Sequence, residues 1–160
     1  MKRIIFLGMI FLIIFGNLAL ADNSYFGKVS TAEIKLYFLR SDRNCERIEL
    51  VPVKCVVPLK GVVQSAIEKL LEGPTEQERK RLDLYTAIPK GVKLNRLQID
   101  LTTGTVYVDF SKELQNYGGG SLNAICIRTQ IEETLKQFTV VKKVVITVEG
   151  KGEAEGVLQP

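Results

Sequence analysis

The stretch that decides the fold spans residues 70–111 and reads LLEGPTEQERKRLDLYTAIPKGVKLNRLQIDLTTGTVYVDFS. It contains the end of a helix, a turn and a hairpin, in that order. Gly73 and Pro74 end an apolar helical pattern, because glycine accepts a left-handed cap and proline cannot continue the hydrogen-bond ladder. Pro89 then turns the chain after a polar run. The stretch therefore predicts a helix followed by a hairpin.

The arms of this hairpin are predicted at residues 94–101 and 105–110, with a short glycine-containing connection at 102–104. The second arm alternates strictly between apolar and polar side chains, which is the period-two pattern of a strand with one buried face. Tyr107 and Asp109 belong to the polar face. We expect the apolar set to face the core: Val106, Val108 and Phe110.

The rest of the chain adds strands and one further long helix around the hairpin. Pro52 cannot donate to a strand ladder, so its strand is expected at an edge or bent. Ser121 is expected to cap the second helix. The order β-β-α-β-β-α-β predicts the α+β class, with a single mixed or antiparallel sheet of about five strands and two helices packed on one face. The predicted strands are 34–40, 48–57, 94–101, 105–110 and 140–148, and the predicted helices are 62–71 and 122–138.

The first 21 residues predict a signal peptide. Two basic residues precede an unbroken apolar run at 4–15, and the segment ends in the A-x-A pattern of a cleavage site at 19–21. We expect cleavage before Asp22 and an exported protein of the periplasm or cell envelope. The alternative is an uncleaved membrane anchor, which would be the chain's sole contact with a membrane.

Cleavage would take 21 of the 160 residues and leave 139, the size of one ordinary domain. We predict a flexible amino terminus at 22–33, one domain at 34–150 and a tail of low structural content at 151–160. Removing the two basic signal residues lowers the formal net charge from +4 to +2. Basic and acidic residues also alternate along the chain, so nucleic acid is not a predicted partner.

The chain contains no histidine, which removes a large part of enzyme chemistry. Serine–histidine and cysteine–histidine pairs, histidine general bases and histidine metal ligands are all excluded. The cysteines lack the C-x-x-C spacing of a zinc site. The sequence therefore predicts neither a metal nor a cofactor.

Three cysteines in an exported chain can form at most one internal disulfide. Cys45 falls in the predicted turn between the first two strands and Cys55 lies far along the second, which disfavours that pair. The sequence leaves two possibilities. Cys55 and Cys126 form a disulfide, or the thiols are free and fill the core.

A carboxylate pair is the chemistry that remains for an enzyme. Asp100, Asp109, Glu113 and Glu132 are the acids nearest the hairpin and the second helix, and two such acids can hydrolyse a glycosidic bond. Plain solvated side chains are the simpler interpretation, since Asp109 lies on the polar face of its strand. The sequence therefore predicts that the chain is not an enzyme, with a cell-wall carbohydrate hydrolase as the alternative.

A glycine-rich loop is the candidate binding segment. It contains Tyr117, Gly118, Gly119 and Gly120, and loops on rigid scaffolds often carry function. The spacing matches neither the P-loop nor the dinucleotide-binding fingerprint, so phosphate is not predicted. The alternative interpretation is a mobile connection with no ligand.

Five short motifs occur in a fixed order: LLEGP at 70–74, TAIPKG at 86–91, VYVDFS at 106–111, Gln130-Ile131 with Thr134-Leu135, and the strand and turn at 141–150. Together they resemble the GerM-type sporulation and spore-germination domain (GerMN) over residues 34–150. The resemblance implies a fold similar to ring-building motifs. It also implies an exported, non-catalytic envelope module that binds or scaffolds a partner, namely an envelope protein, a second copy of itself or peptidoglycan.

Overall fold

The computed structural model describes residues 30–42, 47–118 and 120–159. This part of the chain contains both strands and helices, and all but one of its strand pairs are antiparallel, which confirms the predicted α+β class. Two short 3₁₀ helices in the described residues lie at Lys112–Gln115 and Glu153–Glu155. In chain order the elements are β1 (Thr31–Ser41), β2 (Ile48–Pro58), α1 (Val62–Glu72), α2 (Glu76–Leu82), β3 (Leu84–Tyr85), β4 (Leu94–Asp100), β5 (Thr105–Phe110), α3 (Gly120–Lys136) and β6 (Lys143–Val148).

The strands of the described residues form two three-stranded sheets, so the predicted single sheet of about five strands is wrong. The first sheet has the order β2-β1-β3 and is antiparallel throughout. The second has the order β4-β5-β6, in which β5 pairs antiparallel with β4 and parallel with β6. β2 lies at an edge, as Pro52 predicts.

Side chains of α3 and of Gln137, the residue that follows it, take the place of a neighbouring strand along one edge of β1. The N–H of Lys35 donates to Oε1 of Gln137 at 2.7 Å, and its carbonyl accepts from Nε2 of Gln137 at 2.6 Å. The N–H of Tyr37 donates to Oγ1 of Thr134 at 3.3 Å, and its carbonyl accepts from Nε2 of Gln130 at 3.0 Å. Because these backbone groups already have partners, the first sheet cannot continue into the second.

The two long helices connect the sheets through one shared core, instead of lying on one face of one sheet. α1 packs on β1, β2 and β4, and α3 packs on β1, β6 and α1. The second long helix begins at Gly120, so Ser121 lies inside its first turn and is not the predicted cap. One apolar stripe of this helix is fully buried: Ala124, Ile127, Ile131 and Leu135.

Two short elements join α1 to the hairpin. The polar run 75–83 contains α2, which Thr75 and Glu78 open with a capping box. β3 is a two-residue strand that the sequence did not predict, and it pairs with the end of β1. Two residues are too few to show a period, so only pairing reveals this strand.

The second sheet confirms the predicted hairpin, and the apolar side chains of β5 that were expected to face the core are fully buried. Gly104 closes the turn with φ 69°, and a Cβ there would lie 2.9 Å from the carbonyl oxygen of Val140. Its own carbonyl accepts from the N–H of Lys142 at 2.7 Å. This close contact needs glycine and ties the turn to the segment before β6, which begins at Lys143 and not at the predicted residue 140.

The carboxyl-terminal segment is part of the core, so its prediction as a tail of low structural content is wrong. Val157 and Leu158 are buried with the other core residues. Arg128 of α3 donates to the carbonyl of Leu158 at 3.1 Å and forms an ion pair with Glu153 at 3.2 Å. Two apolar residues in a glycine-rich segment show no period, so the sequence does not reveal that they pack on α3.

Some predictions concern residues outside the described part of the chain. These are the signal peptide with its cleavage before Asp22, the amino-terminal residues up to 29, Cys45 and Gly119. Within the described part, β1 begins at Thr31, so the predicted flexible segment 22–33 extends too far.

Candidate functional site

The outer face of the second sheet carries polar side chains and is open to solvent at its centre. Tyr107, on the middle strand, is 47% exposed. The hairpin register places Gln98 opposite Tyr107 and Arg96 opposite Asp109, while the parallel register places Thr147 beside Asp109. A cavity of about 300 Å³, which we call the outer-face cavity, is lined by Arg96, Gln98, Tyr107, Asp109, Thr147 and Gly150.

Asp109 is held by hydrogen bonds from three sides. Oδ1 accepts from Oγ1 of Thr147 at 2.6 Å and from the N–H of Gly150 at 2.8 Å, and Oδ2 accepts from Nδ2 of Asn95 at 3.2 Å. Burial alone would raise the pKa of Asp109, but these bonds and the nearby charge of Arg96 outweigh it and hold the pKa below its usual range. Asp109 is therefore an ionised acceptor at neutral pH.

A strained turn after β6 completes this network. Glu149 has φ 50° and Gly150 has φ 75°, and the left-handed region is uncommon for a residue with a side chain. The carboxylate of Glu149 accepts from the amide of Asn95 at 3.3 Å and from the N–H of Lys112 at 3.1 Å. The hairpin register shifts between Leu94 and Arg96, at Asn95. One amide thus joins a carboxylate of β5 to a carboxylate of the turn after β6 and fixes one side of the cavity.

Asp109→Asn is expected to lower the free energy of unfolding by about 1 kcal/mol at neutral pH, because bonds to an ionised acceptor are lost. The folded pKa lies below the unfolded value of about 3.9, so this stabilisation is present above that value and is lost as the pH falls through the folded pKa. Urea unfolding at neutral pH and below pH 4 should show the difference between the two proteins shrinking on acidification.

The matched control is Glu68→Gln, which removes a carboxylate from the exposed face of α1. We expect it to change stability by less than about 0.5 kcal/mol at neutral pH. A difference between wild type and Asp109→Asn that stayed constant on acidification would contradict the assigned role of the Asp109 carboxylate.

Asp100 and Asp109 do not form a catalytic pair. Asp100 pairs with Thr105, and four residues of β5 at about 3.3 Å each separate Thr105 from Asp109, which amounts to about 13 Å. Carboxyl groups in glycosidases lie about 5–9.5 Å apart. The carboxylate of Asp100 instead closes the hairpin turn, accepting from the N–H of Thr102 at 2.9 Å and from the hydroxyl of Thr103 at 2.8 Å.

The other two candidate acids also have structural partners. A hydrogen bond with Ser111 lowers the pKa of Glu113, and Glu132 forms an ion pair with Lys136 one helical turn away on α3. Bonds from Thr103 and Thr102 likewise lower the pKa of Asp100. A glycosidase needs one acid with a raised pKa, whereas the pKa is lowered in three of these four acids. Nothing in this geometry supports the hydrolase alternative.

The glycine-rich loop is tied to the domain at both ends. Tyr117 is partly buried against the core, and the carbonyl of Gly118 accepts from Nδ2 of Asn123 at 2.6 Å. Gly120 is the first residue of α3, with φ 63°. The loop therefore has a structural role, and its role in binding stays a prediction.

Cys55 and Cys126 are both free thiols in the structure, and a disulfide between them stays a prediction. Cys55 lies half-buried on β2, and the positive charge of Lys69 on α1 partly offsets the effect of burial on its pKa. Cys126 is buried on α3, which packs mainly on β1, β6 and α1. Burial raises the pKa of both thiols, in agreement with the alternative that they fill space in the domain.

Comparison with known proteins identifies the family. A family model described as "Germane: Sporulation and spore germination" matches residues 35–153, which is most of the chain. The chain belongs to the Germane family. This confirms the resemblance to GerM-type domains, and the match ends three residues beyond the predicted boundary at 150.

Solved structures of Germane domains have a similar fold. The tandem GerMN domains of the sporulation protein GerM from Bacillus subtilis share 25% identity at a TM-score of 0.61, over 78% of this chain and 41% of that chain. The first GerMN domain of the same protein shares 25% identity at a TM-score of 0.55, over 76% of this chain and 85% of that chain. No curated protein sequence matches the chain.

The structure adds residues to this Germane domain's candidate site that the sequence did not single out. Arg96 and Gln98 could have been found by counting the hairpin register outward from the turn at 102–104. Asn95 depends on a bulge and Glu149 on a strained turn, and neither has a signal in the sequence.

Proposed function

We propose that this Germane domain is a non-catalytic, exported module of the cell envelope that binds or scaffolds a partner. The partner is an envelope protein, a second copy of the domain, or peptidoglycan. The observation that carries the proposal is the outer-face cavity, where Arg96, Gln98 and Tyr107 are exposed to solvent while Asp109 is held in internal hydrogen bonds. Such a site has groups that bind and lacks an acid–base pair that reacts.

The names of the relatives point to sporulation and do not define a partner. The family description names sporulation and spore germination, and the solved relatives belong to a sporulation protein. This chain spans 41% of the tandem-domain relative. Any activity of that whole protein is therefore only a proposal for this chain.

Export is the part of the proposal that rests on the amino-terminal sequence. In the part of the chain that the structure describes, no helix is both long and apolar enough to cross a membrane. Sequencing the amino terminus of the protein recovered from the envelope fraction tests this point. We expect it to begin at Asp22, and a protein that keeps residues 1–21 would favour the uncleaved anchor.

Partner binding is tested with residues 22–160 as bait against envelope extract and purified sacculi in parallel, with light scattering to measure self-association. We expect capture of a defined protein set, sedimentation with sacculi, or a mass that rises with concentration. Tyr107→Ser should reduce that signal. Leu82→Ser on α2 is the matched control, since Leu82 is 45% exposed on another surface. A monomer that captures neither protein nor sacculi would contradict the proposal.

A further inference from the structure

We propose that the outer-face cavity binds a neutral saccharide unit of a glycan, with Tyr107 as the stacking surface and Arg96 and Gln98 as hydrogen-bond donors. This inference rests on the proposed function and deepens it, because it selects the glycan of the cell wall among the three partners. Four observations on the described residues carry it.

The first observation is the charge that faces the cavity. Arg96 and Asp109 are cross-strand neighbours, and the charge of Arg96 lowers the pKa of Asp109. An anionic ligand would therefore meet the Asp109 carboxylate, and a cationic ligand would meet the Arg96 guanidinium. A neutral ligand avoids both repulsions, so opposite charges on the two neighbours favour an uncharged polar molecule.

The second observation is that Arg96 is left available. Opposite charges on facing strand positions usually form a pair. Here the oxygens of Asp109 are occupied by Thr147, Gly150 and Asn95, and Arg96 makes no ion pair within the described residues. Nη2 of Arg96 donates to Oε1 of Gln98 at 3.0 Å. A guanidinium has five N–H donors, so donors remain for a ligand.

The third observation is the exposed aromatic ring. Tyr107 is at the centre of the open face, and its hydroxyl has no hydrogen-bond partner among the residues that the structure describes. The bond from Arg96 uses the oxygen of the Gln98 amide and leaves its N–H groups free. A sugar ring presents an apolar C–H face to an aromatic ring while its hydroxyl groups accept from such donors, so both features fit one ligand.

The fourth observation is the size and rigidity of the cavity. Its volume of about 300 Å³ is at the lower end of ligand cavities, which span about 300–1,000 Å³, and suits a single sugar unit. Asn95 links the carboxylates of Asp109 and Glu149 and thereby holds the strained turn beside the cavity. A site that is already rigid loses little entropy when a ligand binds.

The test is an NMR titration of residues 22–160 with chitotriose, a neutral trisaccharide of N-acetylglucosamine. We expect saturable shifts of the Tyr107 ring, the Arg96 side-chain N–H and the Gln98 amide. Tyr107→Ser and Arg96→Gln should each weaken binding at least about tenfold, the effect of losing a stacking or charge-assisted contact. Arg81→Gln is the matched control, because Arg81 is exposed on α2 and does not line the outer-face cavity.

A second arm separates a saccharide from an acidic partner. An acetylated and amidated diglutamate peptide should produce no saturable shift, and chitotriose binding should change less than about twofold between about 0.05 and 0.5 M salt, since a neutral ligand is not screened. Binding of the peptide in place of the sugar, the absence of saturation with chitotriose at millimolar concentration, or equal affinity in Tyr107→Ser would each overturn the inference.

The inference and the proposed function fail in different ways. If chitotriose does not bind while the bait still captures an envelope protein, the saccharide site is overturned and the module's scaffolding role stands. If chitotriose binds with the expected variant effects while neither protein nor sacculi is captured, the site stands and the envelope function fails.

Discussion

Replacing Gln130 with leucine is expected to lower the free energy of unfolding by about 3 kcal/mol, because two part-buried backbone groups lose the partner that a buried side chain supplies, at about 1–3 kcal/mol each. Gln130 is fully buried on α3. Its Oε1 accepts from the N–H of Ala87 at 2.9 Å, and its Nε2 donates to the carbonyl of Tyr37 at 3.0 Å. Leucine has a similar volume and makes neither bond. Urea unfolding monitored by circular dichroism measures the loss.

The matched control is Gln64→Leu, the same chemical change at an exposed position of α1. Gln64 donates only to Glu68 one turn away, so we expect a change below about 0.5 kcal/mol. If both variants unfolded at the wild-type urea concentration, Gln130 would not be the residue that completes the edge of β1. The result matters for the fold, since this side chain joins α3 to β1 and to the segment that precedes the hairpin.

Leu158→Ala is expected to cost about 3 kcal/mol, within the range of about 2–5 kcal/mol for emptying a buried leucine site. Leu158 is 2% exposed and packs in the shared core, although it lies two residues from the end of the chain. The bond from Arg128 to its carbonyl holds the backbone in place, so this segment cannot easily shift to fill the cavity that alanine leaves. Thermal and urea unfolding both report this effect.

Leu101→Ala provides the matched control, because Leu101 is 77% exposed in the hairpin turn. It should change stability by less than about 0.5 kcal/mol. Equal and small effects of the two substitutions would mean that the carboxyl-terminal segment contributes little to the core. The expected contrast would show that residues 157 and 158 are structural members of the domain.

The sequence predicts the hairpin well because its signals come from neighbours in the chain. The alternation along β5 identifies its buried face, and Gly104 supplies the residue that the turn requires. The same alternation assigns Tyr107 and Asp109 to the polar face, and the outer-face cavity lies on that face. Two residues of the candidate site were thus predicted to share one surface.

The rest of the site depends on pairing that local patterns do not encode. Thr147 and Gly150 reach Asp109 because β6 pairs in parallel with β5, and they lie 38 and 41 residues away in the chain. A strand pattern predicts that a segment is extended, but it does not say which strand will be its neighbour or in which direction. The Asp109 network therefore could not be assembled from the sequence.

The amino-acid sequence by itself determined the two long helices, the longer strands, the buried face of the hairpin, the absence of histidine chemistry and the family. Only the tertiary structure decided that the strands divide into two sheets. That division depends on side chains of α3 and of the following residue Gln137, which bind β1 backbone groups 93 to 102 residues away. Periodicity records how a residue relates to its neighbours in the chain. In the sequence, polar side chains that complete the edge of a distant strand look the same as solvated positions on a helix.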